Sequence, residues 1–89
     1  MVITRTFEIT NQLGIHARVA AKLVETASRF QSEVLLEKDG VEVDGRSILG
    51  ILTLFCPYGS RFTVRTEGVD ADEAMEAFVR LIENRFGEK

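Results

Sequence analysis

Ile3, Phe7 and Ile9 alternate with Thr4, Thr6, Glu8 and Thr10, the period of a strand with one buried face, although Arg5 interrupts the apolar set. The period then lengthens. Ala20, Leu23, Val24 and Ala27 recur at i, i+3, i+4, i+7 and predict a helix from about Ala17 to Arg29. Residues 33–38 and 41–44 read as two strands joined by Asp39-Gly40, a pair suited to a two-residue hairpin in which both turn positions need positive φ. Behind Ser47, Ile48, Ile51, Leu52 and Phe55 have helical spacing, with Ser47 as N-cap. The run 48–55 is nearly all apolar, so a buried strand is the alternative; the cap and the spacing favour the helix. Pro57-Tyr58-Gly59 makes a turn, and Phe62, Val64 and Thr66 alternate with Arg61, Thr63 and Arg65 in a fourth strand. Asp70 and Glu73 predict a capping box for a last helix. Its buried stripe is Met75, Phe78, Val79, Ile82 and Phe86, Glu76 and Arg80 pair on its outer face, and Gly87 stops it.

Strand, helix, strand, strand, helix, strand, helix, with no linker or repeat, implies one α+β domain over residues 1–89. Three helices cover one face of a four-stranded sheet and leave the other wet, in keeping with the alternating strands. Composition adds limits. At 45% hydrophobic and 28% charged, the chain has the make-up of an ordinary globular protein. A domain of this size buries only about 60% of the surface of its unfolded chain, so no deep enclosed active site is expected. The net charge of −3 speaks against a general nucleic-acid binder. Residues 1–66 carry eight Lys/Arg and seven Asp/Glu, against three and seven in residues 67–89, so the first part is the less acidic. A single cysteine forms no internal disulfide, and there is neither a signal-peptide layout nor an apolar run of about 18 residues. The expectation is a cytoplasmic monomer with no membrane insertion.

The candidate chemistry lies in Asn11-Gln12-Leu13-Gly14-Ile15-His16-Ala17-Arg18-Val19, which sets the sole histidine at or next to the N-cap of the first helix. A helix N-terminus offers unpaired N–H groups and partial positive charge, a ready phosphate site. The same positive end favours neutral imidazole, the form with a nucleophilic lone pair. Arg18 supplies a forked guanidinium, and Lys22 and Arg46 are candidates to make the site locally basic. A histidine that merely caps a helix is the plainer alternative. Cys56-Pro57-Tyr58 resembles the start of a glutaredoxin site, but Gly59 stands where the second cysteine is needed. No metal-ligand cluster or nucleotide-binding glycine loop is visible, and none of the usual cofactors is expected.

The segment from Ile9 to Leu23 resembles the active-site segment of the HPr family, the histidine phosphocarriers of the bacterial phosphotransferase system. The likeness continues through residues 37–43, 45–51, Gly59 and residues 64–68, and so covers essentially the whole chain. It implies the HPr-like open-faced sandwich, and a phosphoryl carrier and protein substrate in place of an enzyme. His16 would accept the phosphoryl group on Nδ1 from phosphorylated enzyme I and pass it to an enzyme IIA-type acceptor, its other ring nitrogen facing solvent. Arg18 and the backbone N–H groups of Ala17 and Val19 would bind the phosphate. Ser47 matches the regulatory serine of HPr kinase/phosphorylase. Ala17, Ala21, Ile48, Leu49 and Leu52 are candidates for the docking patch, with core packing as the alternative for most of them; Ile48 and Leu49 match partner-facing positions of the family. Most members have proline where this chain has Val19, which restores an N–H and loosens φ. Two other readings stand beside the carrier: a regulatory binding module governed by Ser47, and a small hydrolase with His16 as general base, for which no second catalytic group is visible.

Overall fold

The computed structural model describes residues 1–88. The chain forms β1 (Val2–Glu8), α1 (Ala17–Ser28), β2 (Glu33–Lys38), β3 (Val41–Asp44), α2 (Ile48–Thr53), β4 (Arg61–Glu67) and α3 (Ala71–Glu83), followed by a short turn at Arg85–Gly87. The strands make one antiparallel sheet in the order β1-β4-β2-β3. In β4, Phe62, Val64 and Thr66 face the core while Arg61 and Glu67 stay exposed. Register brings Phe7 beside Phe62 and Leu36 beside Val64, and the two phenyl rings pack with centroids 5.9 Å apart. Val19, Ala20, Leu23 and Ala27 of α1, Ile51 of α2, and Met75, Phe78 and Ile82 of α3 close the same core. Arg5, opposite Val64, shares Phe7's side of the edge strand β1 and lies 5.6 Å over that ring. An inward charge of this kind blunts an exposed sheet edge.

The hairpin has the expected positive φ, 52° at Asp39 and 85° at Gly40. The 48–55 run resolves as a helix over its first six residues, and Ser47 Oγ accepts from Gly50 N at 2.9 Å. Two expectations fail at α3. Asp70 is its N-cap residue but makes no capping-box bond; its carboxylate accepts from Gln31 N at 3.0 Å, Ser32 N at 2.8 Å and Ser32 Oγ. Those three donors in one adjacent turn outbid the helix's own N–H groups. The helix also ends before Gly87, at Glu83, because Arg85, Phe86 and Gly87 all take left-handed φ, 52°, 56° and 78°. Left-handed backbone costs about 1–3 kcal/mol at each non-glycine residue. Burying Phe86, only 1% exposed, helps offset it, as do bonds from Lys22 Nζ to Phe86 O and from Glu88 N to Arg85 O. Among the described residues the ion pairs do not include the expected Glu76–Arg80. No helix among these residues is long and apolar enough to cross a membrane.

Candidate functional site

The loop before α1 is pinned from two sides. Ile15 N donates to Cys56 O and Gly59 N to Ile9 O. Gly14 has φ +69°, and a Cβ there would sit 2.5 Å from Cys56 O, so this close approach of two backbones requires glycine. Asn11 is fully buried, and its Nδ2 donates to Gly14 O at 2.8 Å and to Glu88 Oε1 at 2.9 Å.

This frame sets His16 as the N-cap of α1, with extended backbone (φ −107°, ψ −177°). Its Nδ1 accepts from Arg18 N at 3.3 Å, and its Nε2 lies 2.6 Å from Glu88 Oε2. The two contacts agree on one tautomer: Nδ1 carries the lone pair and Nε2 the proton. Ala17, Arg18 and Val19 are the first three residues of α1, whose N–H groups have no intrahelical acceptor. The lone pair therefore lies among backbone donors at the positive end of a helix. The Asn11 amide, then the His16 ring, hold the Glu88 carboxyl below the usual carboxylate range, with a smaller contribution from the Arg18 charge.

Several expected residues sit elsewhere or act otherwise. The Nε2 atom does not face solvent freely; Glu88 occupies it. Lys22 is spent on Phe86 O. Arg46 donates to the carbonyls of Ala27, Phe30 and Ser32, at and beyond the far end of α1, and is a structural clamp on that terminus. Val19 is completely buried, so only its backbone N–H can serve the site. Ala17, Arg18 and Ala21 are exposed, as are Ile48 and Leu49, whereas Leu52 is half-buried. Leu13, Phe55 and Tyr58 are also exposed apolar residues, at 74%, 72% and 65%. Leu13 and Tyr58 lie outside the helical stripes, which was the signal for them; Phe55, expected on the stripe of α2, falls instead beyond that helix's last residue, Thr53, where a left-handed φ of 53° turns it outward. Glu88 had no sequence signal, since it arrives only through the left-handed turn. Burial pushes the Cys56 thiol up, away from the reactive thiolate. Among the described residues, no group of His, Cys, Asp and Glu is arranged to hold a metal ion.

A nitrogen lone pair among N–H donors, on a ring that is 30% exposed and so open to another protein, suits taking up and handing on a phosphoryl group. Comparison with known proteins points the same way. Residues 3–84 match the family model described as the PTS HPr component phosphorylation site. The chain is 45% identical to a phosphocarrier protein HPr of Cupriavidus necator over 98% of each chain. It is 48% identical to one of Xylella fastidiosa over 90% of each. The crystal structure of an HPr from Thermoanaerobacter tengcongensis superposes with a TM-score of 0.93 at 45% identity, covering 98% of both chains.

Proposed function

Since this chain belongs to the HPr family, the phosphocarrier proteins of the phosphotransferase system, we propose that its carrier atom is His16 Nδ1. The observation that carries this reading is the lone pair of Nδ1 lying among the first N–H groups of α1. The nitrogen attacks phosphorus; the bond from phosphorus to the donor breaks, and the donor keeps that electron pair. The Nδ1 atom has no proton to lose, so no base is needed. Arg18 and the N–H groups of Ala17, Arg18 and Val19 take up the phosphoryl oxygens.

Donor and acceptor are phosphorylated enzyme I and an enzyme IIA-type protein, which dock on Ala17, Ala21, Ile48, Leu49 and the exposed part of Leu52. The protein works as a single-domain cytoplasmic monomer and as a substrate of its partners, not as an enzyme. HPr kinase/phosphorylase acts on Ser47, where phosphate would place charge beside the docking surface.

Intact-mass measurement after incubation with phosphoenolpyruvate, magnesium and catalytic enzyme I tests the carrier assignment. The expected result is one acid-labile phosphate in the wild type and none in His16→Ala. A folded wild type that gains none would favour the regulatory module governed by Ser47, the reading to which Val19 in place of the family proline lends support.

A further inference from the structure

The described C-terminal residues are tied into the site more firmly than chance apposition explains. Three consecutive left-handed residues, a buried Phe86 and a bond from Lys22 Nζ fix the turn that delivers Glu88. The amide of Asn11 meets it with a committed orientation: turned the other way, its oxygen would face both Gly14 O and the carboxylate. The orientation found leaves Asn11 Oδ1 buried without a partner, an arrangement that is costly in itself. A hydrogen bond to an ionised carboxylate is worth enough to offset such a loss.

We propose that Glu88 is the positioning residue of the phosphoryl-accepting ring: it fixes the proton on His16 Nε2 before transfer and keeps it there afterwards. The inference rests on the assignment of His16 Nδ1 as the carrier atom. Before transfer the Nε2–H tautomer leaves Nδ1 unprotonated and ready to attack. When the N–P bond forms, Nδ1 contributes its electron pair and the ring becomes a cation that still holds the Nε2 proton. A carboxylate at 2.6 Å favours that cation. On transfer onward the N–P bond breaks, its electrons return to Nδ1, and the leaving group is neutral imidazole. Had the Nε2 proton been lost, the leaving group would be imidazolide, a far poorer one. Among the described residues, the other charged groups near the pair are Arg18, whose charge reaches Glu88, Lys22 of α1, which bonds to the turn at Phe86 O, and Arg85 within that turn.

Glu88→Gln tests this, because it preserves size and removes the charge. Nitrogen-15 NMR of the unphosphorylated protein should show a single Nε2–H tautomer in the wild type and a mixture in the variant. In protein phosphorylated by enzyme I, the pH above which the phosphohistidine stops hydrolysing readily should fall by about one unit in the variant, a tenfold loss of protonated ring at a given pH. An unchanged tautomer, or an unchanged pH profile, overturns the proposal. A wild type that takes up no phosphate is a failure of the carrier assignment instead, and the tautomer measurement then judges Glu88 by itself.

Discussion

On the proposed assignment, capping the helix and accepting phosphate fall to the same ring nitrogen, so His16 gives up the first role to perform the second. Little is lost. The bond from Arg18 N is long at 3.3 Å, and a phosphoryl oxygen offers the released N–H a charged acceptor. Val19 sits in the same turn, fully buried, with an N–H that has no intrahelical acceptor. Val19→Pro therefore breaks no helix bond and should fold, with phosphoryl-transfer rates to and from enzyme I within a few-fold of wild type. A transfer-dead wild type rescued by the proline would show the site to be degenerate. His16 and its cap were legible because the start of a helix shows in local periodicity and one histidine leaves no choice. Glu88 was not, because 72 residues separate it from its partner and the fold alone joins them.

Among the elements, α2 shows how a short helix can be read correctly from its start. Its six residues have few internal bonds, so the acceptor at Ser47 decides whether the first turn forms. Ser47→Ala should destabilise the protein by about 1 kcal/mol, lowering the thermal midpoint by roughly 4–8 °C. Ser47→Asp keeps an acceptor at the cap and should fold nearly as well, yet slow phosphorylation of His16 by enzyme I through its added charge. Equal transfer rates in Ser47→Asp and wild type would separate the cap from any regulatory role. The end of α3 was misread for the opposite reason. Met75, Phe78 and Ile82 keep helical register with Phe86, and nothing in that spacing reveals that Phe86 reaches the core from a left-handed turn.

Across the whole molecule, the Asp70 carboxylate joins the start of α3 to the turn after α1. The Ser32 hydroxyl, then the Gln31 N–H, hold its carboxyl below the ordinary value. The unfolded chain thus binds this proton at higher pH than the folded one, so the stabilisation is full above the unfolded value of about 4 and disappears as the pH falls through the depressed folded value. Asp70→Asn should lower the urea midpoint at pH 7, and its difference from wild type should shrink on acidification below about pH 4. A difference independent of pH would mean that the geometry of the turn matters and the charge does not. Sheet order has a separate consequence, for biosynthesis. In the finished sheet β1 touches only β4, Val2 pairing with Glu67, so on the ribosome the first strand made waits for the last. While the nascent chain lengthens at about 5–20 residues per second, that strand has no lawful neighbour, and Arg5, set on the side that will face the core, is the charge that discourages an unlawful one.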